Sequence, residues 1–242
     1  MILIVIFIVG IIVLRIFLPY IKGWVGETTV SAILGKLPKE DYYVINDVML
    51  KTEYGTSQID HVVVSIYGIF VIETKNYKGW IIGTENSQQW IKNMYGKKYP
   101  FRNPIKQNYG HVKALEKVVG LSYEMFIPIV VFSIRAKLKI NAISPVVYMS
   151  QLAREIRRFT EIKIRREEIG RIATKILWAN INSKDNRKKH VQNIRVALEN
   201  EKQVVSLGIC PKCGGVLKPR QGKCGRFLGC SNYPKCRYTK NL

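Results

Sequence analysis

QIDHVVVSIYGIFVIETKNYKGW, residues 58–80, carries two short apolar runs, Val62 to Ile66 and Ile69 to Ile72, with the turn-like pair Tyr67-Gly68 between them. Runs this short, rich in Val and Ile and broken by Gly, fit the strands of a β-hairpin better than turns of helix. Polar residues bracket the open end: Asp60 precedes the first run, and Glu73 and Lys75 close the second. Folding the hairpin brings Asp60 towards Glu73 and Lys75. These last two are two residues apart, so their side chains leave the same face of the strand.

Two carboxylates and an ammonium at the end of a buried hairpin are costly to desolvate. A divalent cation offsets that cost. Magnesium takes oxygen ligands and needs only one or two carboxylates when a substrate phosphate supplies another oxygen. A lysine adds a compact charge that can orient a water or stabilise a phosphorane-like transition state. Thr74 lies between two site-facing residues, so its side chain points away and its backbone carbonyl is a further candidate ligand. The competing reading is an ion-paired surface hairpin whose acids merely offset Lys75 and Lys78.

The order Asp60, then Glu73-x-Lys75, resembles the core of the PD-(D/E)xK nucleases. The chain is similar, more narrowly, to the nuclease-related domain family, NERD, through Gly26-Glu27, Gln58-Ile59-Asp60-His61, Ile72-Glu73-Thr74-Lys75-Asn76, Gln89-Trp90, Asn103-Pro104 and Gln107. The resemblance covers about residues 22–134. It implies an α/β fold with a mixed sheet flanked by helices, and hydrolysis of phosphodiester bonds with Mg2+ or Mn2+. Asp60, Glu73 and the Thr74 carbonyl are then the metal ligands, Lys75 positions the attacking water, and Gln58 or Gln107 orients the phosphate. Glu27 matches a first-helix glutamate that helps hold the metal, and as a first-turn acid it also suits the helix dipole with no metal at all.

Upstream, Met1 to Leu18 is apolar except for Arg15. Eighteen residues of helix reach ~27 Å, close to the thickness of a bilayer's hydrocarbon. No basic n-region or small-residue cleavage site marks a signal peptide. Arg15 lies near the end of the run and Lys22, Lys36 and Lys39 follow it, with nothing basic before it, which predicts a single-pass anchor over residues 1–21 with the soluble part facing the cytoplasm.

The formal net charge of +22 exceeds what solubility requires and implies a polyanionic partner, nucleic acid or an anionic membrane face. Within residues 22–150, helices are expected from Gly26 to Lys36 and from Asn103 to Val119. Strands are expected at Tyr42–Leu50, Trp80–Gly83, Gln89–Tyr95, Pro128–Ser133 and Pro145–Met149, with Lys51 to Ser57 as a polar connection. Lys92, Lys97, Lys98 and Arg102 interleave with Trp90, Tyr95, Tyr99 and Phe101. That mixture suits a surface tracking phosphates and stacking on bases, or a core with solvated lysines around it. Gln107 and His111 lie on the second helix, Gln107 within reach of the metal site and His111 either touching substrate or simply packed.

Residues 151–206 turn helical and basic, with amphipathic spacing at Ile169, Ile172, Ala173 and Ile176 and again at Val191, Ile194 and Leu198. Beyond them, over residues 207–242, Cys210-x2-Cys213 and Cys230-x5-Cys236 have a spacing suited to tetrahedral zinc through four thiolates, and the segment has no acid. Cys224 falls outside that spacing and is expected to be a bystander. The wording GRFLGCSNYPKC, Gly225 to Cys236, resembles the C4 zinc ribbon of type IA topoisomerases. That resemblance implies single-stranded DNA binding through Arg226, Phe227 and Tyr233, and no topoisomerase chemistry.

These readings make the chain a membrane-anchored, metal-dependent DNA nuclease with a zinc ribbon. The alternative is an inactive nuclease-fold module that docks DNA or a partner at the membrane, and a third reading is a basic lipid-surface protein. Related folds often act as dimers on duplexes, so a homodimer is compatible with the sequence.

Overall fold

The computed structural model describes residue 23 and residues 25–53, 55–222 and 225–241. The expected anchor at residues 1–21 and Cys224 lie outside the described residues. Among the described residues, no helix is long and apolar enough to cross a membrane.

The hairpin predicted around Gly68 forms the centre of a five-stranded mixed sheet. In sheet order its strands are β1 (Tyr42–Thr52), β2 (Gly55–Ser65), β3 (Gly68–Lys75), β7 (Phe126–Phe132) and β9 (Val146–Tyr148). The first three are antiparallel neighbours, whereas β7 and β9 join in parallel. The turn is Ile66-Tyr67, one residue earlier than the sequence suggested, and Gly68 pairs with Ser65. Gly68 has φ of 128°, and a Cβ there would lie 2.8 Å from the Met125 carbonyl oxygen, so the tight crossing to β7 requires glycine.

Both sheet faces are covered, which explains the unbroken Val/Ile runs. Ile69 and Val71 of β3, with Val62 and Val64 of β2, pack under α2 (Pro104–Val119) and α4 (Arg166–Ala179). Phe70 and Ile72, with Val63, pack under α1 (25–34) and α3 (Leu152–Ile156). Asn108 of α2 is fully buried and donates to the Val71 and Ile129 carbonyls at 2.9 and 3.2 Å, pinning the helix across β3 and β7. Asn103 caps the same helix by accepting from the Ile105 N–H at 2.9 Å.

A second sheet, in the order β6 (Lys97–Arg102), β5 (Gln89–Met94), β4 (Gly79–Thr84) and β8 (Ala136–Asn141), flanks the first. Trp90 is fully buried there, stacked on Phe132 at 6.2 Å and edge-on to Phe101. The expected connection at Lys51–Ser57 is not a loop. β1 runs to Thr52 and β2 begins at Gly55, because this polar stretch pairs edge to edge without needing apolar side chains. Strands β6 and β8 were not anticipated.

Helix α5 (Lys184–Ser206) runs on into a three-stranded ribbon of β10 (Leu217–Gly222), β11 (Gly225–Cys230) and β12 (Thr239–Asn241). The Ile209 N–H bonds the Val204 carbonyl, and the Tyr238 hydroxyl donates to Glu201 at 2.5 Å, so the ribbon is seated on the helix end.

Candidate functional site

The β2–β3 ladder stops at His61 opposite Ile72, one step before Asp60 would face Glu73. The β1–β2 ladder also lacks a pair at Asp47 and Asp60, and Asp47 takes a φ of 56°. Asp60 therefore sits at a break in the sheet. Its carboxylate takes the place of a strand partner and accepts the Thr74 N–H at 2.7 Å. Strand β3 continues past the break on its other edge, paired with β7 as far as Lys75 opposite Phe132.

Glu73 is buried and bonded on both oxygens. Lys75 Nζ donates to Oε1, and His111 Nε2 lies 3.1 Å from Oε2. His111 Nδ1 in turn lies 2.7 Å from the Ser57 hydroxyl, and Lys75 also donates to Gln107 Oε1 at 3.2 Å. Burial works to raise the Glu73 pKa, but the Lys75 charge and the His111 contact outweigh it and bring it down to about 2. For Lys75, burial works to lower the pKa, and the adjacent Glu73 carboxylate overrides it and holds the ammonium above its ordinary range.

Asp60 has no such compensation. Burial and the Glu73 charge push its pKa well above the usual carboxylate value, against the opposing pull of the Thr74 N–H and Lys75. Glu27 is raised as well, by burial and then by the charges of Asp47 and Glu73. Helix α1 brings Glu27 here by close approach: a Cβ on Gly26 would lie 2.8 Å from the Cβ of Asn76.

Glu27, Asp60 and Glu73 thus share one electrostatic environment, in which burial and mutual repulsion raise the pKa of the first two. A divalent cation with oxygen ligands would relieve that mutual repulsion, whereas among the described residues the ribbon cysteines are the one group of three or more such side chains with ligand atoms close enough to share an ion. Gln58 donates to Asp47 Oδ1 at 3.3 Å. The Thr74 side chain does face away from Glu73, and its Oγ1 is buried without a partner.

Two features escaped the sequence reading. Asp47 gathers Gln58, Arg187 and, through its carbonyl, Asn182. Its signal was an acid interrupting the apolar strand at Ile45-Asn46-Asp47-Val48. Ser57 was assigned to a connection, although it lies two residues before the buried Ile59 and so shares its strand face.

The expected basic and aromatic surface is split. Trp90 and Phe101 belong to the core, whereas Lys97, Lys98 and Arg102 are exposed on β6, with Tyr95 and Tyr99. Lys92 sits over the rings of Tyr77 and Tyr99, 5.0 and 5.3 Å from their centroids.

In the ribbon, the ligand atoms of Cys210, Cys213, Cys230 and Cys236 lie within 4.8 Å of one another. The Cys210–Cys236 and Cys213–Cys230 sulfurs are 3.7 and 3.3 Å apart, well beyond the ~2.05 Å of a disulfide. Sulfurs at ~2.3 Å from a tetrahedral zinc stand ~3.8 Å apart, so the cluster fits structural zinc. Arg226 and Tyr233 are exposed and Phe227 is partly so.

Comparison with known proteins agrees with this division. The nuclease-related domain model matches residues 22–133, and the topoisomerase DNA binding C4 zinc finger model matches residues 207–242. An uncharacterized protein of Bacillus anthracis is 41% identical over 179 residues, covering 72% of this chain and 84% of that protein. The chain belongs to the NERD family. The ribbon of this NERD protein is similar to part of DNA topoisomerase 1 of Methanocaldococcus jannaschii, 67% identical over 34 residues, which are 14% of this chain and 4% of that enzyme. DNA topoisomerase 1 of Archaeoglobus fulgidus is 37% identical over 94 residues, 38% of this chain and 14% of the enzyme. No solved structure matches the chain.

Proposed function

We propose that this NERD protein is a membrane-anchored nuclease that hydrolyses DNA phosphodiester bonds with a divalent metal, Mg2+ or Mn2+. The observation that carries the reading is the convergence of Asp60, Glu73, Lys75 and Glu27 at a break in the sheet ladder. Asp60 and Glu73 would hold the cation, with Glu27 beside them. When bound, it supplies charge neutralisation at the scissile phosphate and a more acidic water. Lys75 orients the attacking water from the same strand face, and Gln107 holds the Lys75 ammonium towards the α2 side. The zinc ribbon binds DNA through Arg226, Phe227 and Tyr233. The apolar run Met1–Leu18 anchors the chain, and the basic residues after it keep these domains on the cytoplasmic side.

The test is cleavage of single-stranded, duplex and branched DNA by the full chain in mild detergent with Mg2+ or Mn2+, alongside Asp60→Ala and Lys75→Ala. Metal-dependent cutting lost in both variants supports the reading, and equal cutting by all three overturns it. One observation favours a second reading, a docking module without catalysis: both Glu73 oxygens are already engaged, by Lys75 and His111. Absence of cleavage on every nucleic acid form, with binding retained, would select it.

A further inference from the structure

The ribbon does not hang free of the nuclease-like body, and two clefts open where they meet. The smaller, ~350 Å³, lies between the ribbon's Phe227, Tyr233 and Arg237 and the β4–β5 turn at Asn86 to Gln88. The larger, ~1280 Å³, has one wall from α5, including Ile194 and Leu198, and a second from Pro100, Phe101 and Arg102. Its rim is the ribbon's first cysteine knuckle at Cys210–Gly214, with Lys212. Gln88, Tyr238 and Thr239 line both clefts, so the two adjoin. The larger cleft is lined also by Gln107, whose Oε1 accepts from Lys75.

We propose that these adjoining clefts form one path that leads a single DNA strand from Phe227 and Tyr233, past Tyr238, to Gln107 and the Lys75 site. The inference rests on the nuclease reading for what happens at the end of the path, not for the path itself. The larger cleft exceeds the ~300–1,000 Å³ of small-molecule pockets, so its occupant is extended. Arg102 and Lys212 meet a phosphate backbone, and Lys106 stands close enough to Lys212 for the like charge to depress its pKa further, after burial. Glu201, the acid in the lining, is already engaged by the Tyr238 hydroxyl.

The apolar wall decides between single strand and duplex. Ile194 and Leu198 are each about half exposed, at 46% and 52%, although they lie on the side of α5 that faces the cleft. A duplex turns phosphates and sugars outward and hides the flat faces of its bases, so it gains nothing from Leu, Ile and Phe side chains. An unpaired strand presents those faces, which stack on Phe101 and pack against Ile194 and Leu198. The Tyr238 bond to Glu201 and the Ile209 bond to Val204 hold the ribbon in register with α5, which fixes the path's rim against its α5 wall.

The experiment measures fluorescence anisotropy of a labelled oligothymidylate with the full chain in detergent, without added magnesium and without chelator, so that zinc stays bound. Lys212→Glu and Ile194→Glu should each weaken binding about tenfold, the first by reversing a charge that meets phosphate and the second by charging a wall that meets the bases. Lys36→Glu, on an exposed site after α1, should change it less than twofold. Zinc content of the variants checks that the ribbon is intact. An oligonucleotide carrying 4-thiothymidine should photocrosslink to peptides containing Ile194 and to peptides containing Pro100. Unchanged affinity in both cleft variants, or crosslinks confined to the Phe227–Tyr233 face, overturns the path. Equal affinity for the matching duplex overturns the single-strand assignment, and a preference for oligouridylate overturns DNA as the occupant. A strand that is held along both walls yet never cut when magnesium is supplied leaves the path standing and removes the nuclease reading. Cutting that is indifferent to the cleft variants does the reverse.

Discussion

Asp60→Asn and Lys75→Met should both abolish cleavage while moving stability in opposite directions. Glu73 is 3% exposed and its partner Lys75 16%, so removing the ammonium leaves a buried carboxylate whose remaining contact is His111. Breaking a buried pair in this way costs about 3–5 kcal/mol. For a body of this size that lowers Tm by roughly 6–20 °C. Asp60 is the contrary case. Folding raises its pKa above the ordinary 3.8, so the unfolded chain gives up this proton first. Stability therefore falls as pH rises through 3.8 and levels off once the folded group has ionised. Asparagine removes that charge and still offers Oδ1 to the Thr74 N–H. The expected gain is about 1–2 kcal/mol, or roughly 2–8 °C, at neutral pH.

Magnesium at ten times its Kd adds ~1.4 kcal/mol to the wild type. That increment should vanish in Asp60→Asn. The assay is thermal unfolding of the full chain followed by tryptophan fluorescence, with and without magnesium, at pH 7 and in an acid series. Asp60→Asn melting at or below the wild-type temperature, or a magnesium shift of equal size in both proteins, would refute the reasoning.

Gly26→Ala places a Cβ 2.8 Å from the Asn76 Cβ, so α1 must shift and carry Glu27 with it. Cleavage should fall at least tenfold while stability drops by about 1–3 kcal/mol, read by kcat and Tm together. Asn103→Ala removes a fully buried amide that donates to the Thr84, Glu85 and Ser87 carbonyls and also caps α2. A loss of about 2–4 kcal/mol in chemical denaturation is expected. Cys213→Ser should take zinc from about one per chain to none, and oligonucleotide affinity should fall with it. Ser57→Ala frees His111 Nδ1 and should lower kcat about tenfold with KM little changed, since Ser57 acts on Glu73 only through His111.

The acidic limb of the pH dependence separates the two buried carboxylates. Glu73, lowered to about 2, contributes stability that is present above its ordinary 4.5 and lost as pH falls through about 2. Asp60 contributes destabilisation over the opposite part of the range. The stability profile of Asp60→Asn should therefore lack the decline above pH 3.8 and keep the loss at the acid end.

What the sequence disclosed follows from where its signals are local. The hairpin was legible because Val62 to Ile66 and Ile69 to Ile72 are buried on both faces, leaving no polar alternation to confuse them with helix. Glu73 and Lys75 share a strand face by spacing alone, and the four cysteines announce their cluster by theirs. Strands with few fully buried side chains gave little burial signal: the partly buried Gly55–Gln58 and the exposed Lys97–Arg102 edge are held by ladder bonds to their neighbours. For Ala136–Asn141 the alternation of Ala136, Leu138 and Ile140 was present and would have sufficed.

Contacts set by distant segments were beyond local reading. Asp47, at a positive φ, meets Arg187 140 residues further along the chain and accepts from Gln58. The same limit explains the placement of the ribbon. Its zinc ligands are written within residues 210–236, but its seat on α5 depends on Tyr238 finding Glu201. The ribbon and the carboxylate site could both be named from sequence, whereas the clefts beside the ribbon depend on that seat, which sets Lys212 and Tyr238 in one lining with Gln107.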